Sequence, residues 1–277
     1  MYRLGLVSIS FRKYAPREIL HAMRKAGLAE IEWGSDVHAP PQKAAEIAQL
    51  QADFGITCSS YGTYFTLGKT PLSELERYIT AAKTLGTDIL RLWCGEKNSE
   101  EYGAEEKAAL FAECQKAAEV ARKHGVTVCM ECHNHTYTNR KEAALELMQA
   151  VDSPHFRMYW QPNQYRSESE NLAAAELLAP YTEHLHVFYW RGDEKLPLAE
   201  AVELWQAYLA CFSDGKKLLL EFMPDDRIES LAAEASALRK IAGLNGTDAQ
   251  TTGKKCRNVL QQADFCGIMN QHFSERK

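Results

Sequence analysis

The chain has 277 residues, of which 45% are hydrophobic, 25% charged and 10% aromatic, and those proportions exclude disordered, collagen-like and low-complexity classes. Lys+Arg 32 against Asp+Glu 37 leaves −5 at pH 7, which gives no electrostatic reason to expect nucleic acid as a partner. The length suits one large α/β barrel or two medium domains, with a core that needs no disulfides.

No run approaches the roughly 18 apolar residues of a membrane-spanning helix, so no membrane partner is expected. The N-terminal MYRLGLVSISF enters a strand-like stretch directly and lacks a small-residue cleavage site. The eight cysteines are scattered, and Cys58, Cys114, Cys129 and Cys211 fall inside hydrophobic patterns. They read as reduced core residues of a cytoplasmic protein. Cys129 and Cys132 form a C-x-x-C, but it closes an apolar run instead of opening a helix, where redox pairs sit.

In chain order, short β-rich runs alternate with amphipathic helical stretches. Strands are expected at 3–9, 28–33, 56–60, 88–93, 126–131, 156–160, 183–188 and 217–222. Helices are expected at roughly 16–26, 41–54, 72–85, 104–124, 139–151, 171–180, 198–212 and 226–242. Gly27, Gly55, Gly86 and Gly125 each follow a helical stretch, where a left-handed backbone ends a helix. Pro16, Pro41 and Pro197 stand where first helical turns begin.

Eight strand–helix units in series imply a closed (β/α)8 barrel or a long doubly wound open sheet. No G-x-G-x-x-G or P-loop follows any strand, which favours the TIM barrel, an α/β fold whose active sites lie at the C-terminal strand ends. The barrel is expected over 1–243. Residues 244–277 break the alternation and are expected to form a loosely docked or mobile C-terminal tail.

The last four strand ends carry polar groups that are costly to bury. They read Met130-Glu131-Cys132-His133-Asn134-His135, Trp160-Gln161-Pro162-Asn163-Gln164, His184-Leu185-His186 and Leu218-Leu219-Leu220-Glu221-Phe222. Singly, Glu221 could pair with an inward Arg91, and either histidine could be a hydrogen-bonded core residue. Together, two carboxylates, an imidazole and an amide oxygen converging from four strands suggest a divalent metal as the compensating charge. His133, two residues beyond Glu131, shares its face of the strand and is a candidate donor to substrate oxygens. Trp33, Tyr61, Tyr64, Trp93 and Trp160 sit near strand ends and are candidate pocket walls. Glu32 and Arg91 read as inward partners of the site.

These strand-end motifs resemble the xylose-isomerase-like barrel superfamily of sugar isomerases, epimerases, inosose dehydratases and endonuclease IV, over about residues 3–243. In the epimerase branch, Glu, Asp, His and Glu at the ends of strands five to eight hold one divalent metal. The resemblance implies Glu131, Gln161, His186 and Glu221 in those places, with His186 chosen over His184 because HLHVFYW continues from it as the family's HVH pattern does. It also implies catalysis by Glu131 and Glu221, which move a proton at a carbon beside a carbonyl, and an Arg191-Gly192 that clamps substrate.

The sequence departs from the family where Gln161 replaces Asp and where Gln164, a further candidate substrate contact, replaces His. An amide in place of a carboxylate weakens metal binding and leaves the ion more electropositive. The expected function is a metal-dependent isomerase or epimerase acting on a small, unphosphorylated sugar or polyol, with Mn, Mg, Co or Zn. A lyase of the inosose-dehydratase kind and a non-catalytic sugar-binding barrel are the alternatives. Endonuclease IV does not fit, because its trinuclear zinc site needs more strand-end histidines. Family members are often dimers or tetramers, so a homo-oligomer is expected by analogy.

Overall fold

A computed structural model describes residues 1–244. Eight parallel strands form a closed barrel in which the first strand pairs with both the second and the last. They are β1 (Arg3–Val7), β2 (Glu30–Gly34), β3 (Thr57–Leu67), β4 (Ile89–Cys94), β5 (Thr127–Glu131), β6 (Phe156–Trp160), β7 (Thr182–Val187) and β8 (Lys217–Leu220). The helices are α1 (Pro16–Ala26), α2 (Ala44–Asp53), α3 (Leu75–Leu85), α4 (Ala104–His124), α5 (Lys141–Val151), α6 (Glu168–Leu178), α7 (Val202–Leu209) and α8 (Leu231–Ile241). Most of the tail expected at 244–277 lies outside the described residues.

The punctuation acts as the residue types require. Gly27, Gly86 and Gly125 end α1, α3 and α4 in the left-handed conformation. Pro16 opens α1, and the Glu18 carboxylate accepts a hydrogen bond from the Ala15 N–H at 2.8 Å. Several boundaries differ from expectation: β1 ends at Val7, where Ser8–Phe11 forms a 3-10 turn, and two further shifts bear on the site. β3 runs on to Leu67 because Tyr61–Leu67, although polar in part, stays extended through a register shift against β4. β8 stops at Leu220, and Phe222 adopts a left-handed φ of 59°.

Because helices cover the outside, the strands are buried on both faces, and alternate residues point into the barrel or toward the helices. Val7, Ile89, Cys129, Tyr159 and Leu219 form the apolar plug of the interior. That plug closes the barrel below and makes the C-terminal strand ends a floor on which polar groups collect.

Candidate metal centre

Two residues above the plug, on the same face of each strand, stand Arg91, Glu131, Gln161 and Glu221. His186 joins them from the end of β7. Its Nδ1 lies 3.1 Å from a Glu131 oxygen, 3.0 Å from the Gln161 amide oxygen and 3.3 Å from a Glu221 oxygen. Ligand atoms of Glu131, His186 and Glu221 fall within 4.8 Å of one another, and all three residues are buried. One ring nitrogen thus faces three oxygens, although it can donate at most one proton.

The other ring nitrogen, Nε2, lies 3.3 Å from Glu32 Oε2. Ser60 donates to that same oxygen at 2.8 Å, and Tyr159 stands 3.0 Å from the Ser60 hydroxyl. Arg91 ties the two layers together, with Nε 3.1 Å from Glu32 and Nη1 2.9 Å from Glu131. Trp93 Nε1 also donates to Glu131. Gly62 makes room for this ion pair: a Cβ there would stand 2.5 Å from Glu32 Oε1 and 2.9 Å from Arg91 Nη2.

The charges do not cancel. Three buried carboxylates, Glu32, Glu131 and Glu221, face one guanidinium, so with a neutral imidazole the cluster is two negative charges in excess. Burying that excess is costly unless a cation neutralises it. Burial lowers the His186 pKa, but Glu221 and Glu32 more than reverse this and hold it well above its usual value. Burial raises the Glu32 carboxyl, yet His186 and Arg91 hold it down at about 2. Glu131 is likewise raised by burial but held well below the usual carboxylate range by Arg91 and His186. A proton on His186 covers half of the excess, and a divalent cation between Nδ1 and the three oxygens would cover all of it. Donor chemistry and charge both fit such an ion.

A cavity of about 400 Å³ opens above this floor. Tyr64, Trp93 and His133 line one side, with Tyr64 edge-on to Trp93 at 5.2 Å and Trp93 5.4 Å from the His133 ring. Phe188, Trp190 and Phe222 line another. β4 and β8 are four places apart in the ring, so Trp93 and Phe222 belong to opposite walls. The left-handed backbone of Phe222 is held by its N–H, which donates to Ser10 at 2.9 Å. Arg12, Asn134, Asn163, Trp190 and Phe222 line the cavity without having been singled out as site residues in the sequence. Four of them lie in loops and Trp190 in a two-residue strand outside the barrel, where alternation gives no signal.

Three expected wall residues face the wrong way. Trp33 is fully buried toward α2, where its indole donates to Gln51 at 2.8 Å. Tyr61 donates to the Ala39 carbonyl at 2.6 Å and packs on Tyr78 of α3. Trp160 packs against Trp205 and Tyr208 of α7. Each neighbours an inward residue (Glu32, Ser60 and Tyr159), and alternation sends it outward.

Arg191 stands apart from the central cavity. It is exposed, stacks over the Tyr189 ring at 5.4 Å and lines an adjoining cavity of about 210 Å³ instead of the central one. Gln164 lines both cavities, and its carbonyl accepts from Gly192 at 3.1 Å. His184 stays out of the cluster. Its Nδ1 lies 2.7 Å from the Glu183 carbonyl, and burial, aided by Lys217, lowers its pKa to about 3.

The sequence pattern of the xylose isomerase-like TIM barrel family matches residues 20–210, and the chain belongs to that family. A curated relative, 3-dehydroshikimate dehydratase of Bacillus anthracis, is 22% identical over 116 residues, spanning 42% of this chain and only 41% of that enzyme. Among solved structures, the probable 3-DHS dehydratase AsbF of Bacillus anthracis superposes with a TM-score of 0.70 at 18% identity, covering 86% of this chain and 98% of that one. L-Ribulose 3-epimerase gives 0.65 at 16% identity, covering 99% and 100%. A xylose isomerase-like barrel protein of Mycobacterium smegmatis in complex with magnesium gives 0.66 at 13%, covering 88% and 98%. Among the described residues, no helix is long and apolar enough to cross a membrane.

Proposed function

We propose that this chain is a metal-dependent enzyme that removes a proton from a carbon beside a carbonyl in a small polyhydroxylated substrate. The observation that carries the proposal is the meeting of His186 Nδ1 with oxygens of Glu131, Gln161 and Glu221 in a buried cluster two negative charges in excess. Those four side chains would hold one divalent ion. When bound, it supplies positive charge that polarises the substrate carbonyl.

Glu131 and Glu221 are the proton-carrying groups. They rise from β5 and β8, three places apart in the ring, and so approach a bound substrate from different sides. One takes the proton and the other returns it to the opposite face, which inverts the carbon. Arg91 and Trp93 both engage one Glu131 oxygen, fixing that carboxylate before substrate arrives. The aromatic walls suit the C–H faces of a sugar or cyclic polyol, while His133 and Gln164 offer polar contacts at the rim.

An isomerase or epimerase is the first reading. A lyase is the second, favoured by the dehydratases met in both sequence and structure comparisons. Both begin with the same proton abstraction. Incubation of metal-supplemented protein in D2O with free keto-sugars and cyclic hydroxy-ketones is expected to exchange deuterium beside the carbonyl of an accepted compound. Glu221→Gln is expected to slow that exchange by about 10²–10⁴-fold while the fold survives. An ultraviolet chromophore in the product identifies dehydration, and its absence identifies isomerisation. Thermal stabilisation by a sugar with no exchange would instead support the binding-only barrel.

A further inference from the structure

We propose that Glu32 is a positioning residue that aims the His186 imidazole at the metal donors. The inference rests on the metal reading of the cluster and adds to it a residue from the far side of the barrel. Glu32 Oε2 lies 3.3 Å from Nε2, on the ring edge opposite the three oxygens that face Nδ1. An imidazole that donates through Nε2 presents Nδ1 as the nitrogen with a lone pair. Neither Glu32 nor His186 is exposed to solvent, so no water competes for this contact.

Glu32 is itself fixed on every side. Ser60 donates to the oxygen that faces His186, and Arg91 holds the other one. Gly62 clears the space beside that pair, since a Cβ there would overlap it. Such a carboxylate costs several kcal/mol to bury and contributes no donor to the cavity above. Its contacts run to His186 directly and to Glu131 through Arg91. Glu32 therefore sets two of the four donors without touching substrate or ion.

The test uses Zn2+ alone, titrated calorimetrically into full-length protein, with 15N spectra of labelled histidines. In the wild type, Zn2+ is expected to perturb Nδ1 of His186 while Nε2 keeps its proton. Glu32→Ala is expected to bind Zn2+ roughly 10–100-fold more weakly and to lose the protected Nε2–H signal. Glu32→Gln, which keeps an oxygen to accept from Nε2, is expected to recover most of the affinity. Ser60→Ala leaves the Arg91 ion pair intact and is expected to weaken binding by a smaller factor, so the test stands even if Glu32→Ala fails to fold.

A Glu32→Ala or Ser60→Ala protein that binds Zn2+ as the wild type does, through the same nitrogen, overturns the positioning role whatever its melting temperature. A wild-type protein that binds no Zn2+ overturns the metal reading, and this inference with it.

Discussion

The amide oxygen of Gln161 lies 3.0 Å from Nδ1 of His186, in the place where the resemblance to the epimerases implies an aspartate. The amide supplies a lone pair without a charge. With Glu32 and Arg91 cancelling each other, Glu131 and Glu221 leave two negative charges, which is what one divalent ion neutralises. Gln161 thereby matches the charge of the cluster to its proposed occupant, whereas an aspartate would leave it one charge over.

Gln161→Asp is expected to increase divalent metal affinity by about tenfold or more, a gain of at least ~1.4 kcal/mol. The same change is expected to lower the melting temperature of the chelated protein, because a third carboxylate joins the buried donor set. Calorimetric titration and melts with and without EDTA check both, and unchanged affinity would contradict the charge argument.

Arg91 is the cation on which the buried carboxylates depend. Arg91→Met removes the guanidinium that Glu32 and Glu131 share and is expected to cost about 3–5 kcal/mol in denaturant unfolding. Gly62→Ala pushes a methyl into the same ion pair and is expected to destabilise by about 1–3 kcal/mol. If either variant unfolds like the wild type, the buried network is not what organises this end of the barrel.

In metal-depleted protein the cluster makes stability fall on both sides of a window. Burial raises Glu32, but His186 and Arg91 hold it at about 2, below its ordinary 4.5, so its contribution is present above pH 4.5 and lost as pH falls toward 2. Burial lowers His186, but Glu221 and Glu32 hold it well above its ordinary 6.5, so its contribution is complete below pH 6.5 and lost as pH rises through the folded value. Denaturation midpoints in EDTA are expected to be highest between those two ordinary values and lower at alkaline pH. A midpoint that rises into alkaline pH would contradict the assignment of His186.

Trp33 and Trp93 have similar sequence surroundings and opposite orientations. Trp33→Phe removes one buried hydrogen bond to Gln51 and is expected to cost about 1 kcal/mol of stability with no change in KM. Trp93→Phe removes a wall indole and the bond to Glu131, and is expected to change kcat or metal affinity. Steady-state kinetics with any accepted substrate separate the two.

The barrel was legible because helix stops, helix starts and apolar runs repeat in step, and each signal is local. The meeting of Glu131, Gln161, His186 and Glu221 was legible because each stands at or near the C-terminal end of a largely apolar strand, where a polar side chain on the inward face has few partners. The walls were not. Trp33 and Glu32 are adjacent on one strand and cannot both face inward, yet proximity to the strand end suggested both; alternation alone separates them. Arg191 lies within a short hairpin, Trp190–Arg191 paired with Glu194–Lys195, whose geometry decides which cavity the side chain reaches. Phe222 turns back into the pocket through a left-handed residue that no apolar pattern announces.

The metal content of the purified protein after dialysis, first as isolated and then after exposure to Mn, Mg, Co or Zn, tests the Glu131–Gln161–His186–Glu221 cluster most directly. About one tightly held divalent ion per chain is expected in the wild type and none in Glu131→Ala or Glu221→Ala. No retained metal with any of the four ions, or equal retention by the two variants, would contradict the metal reading.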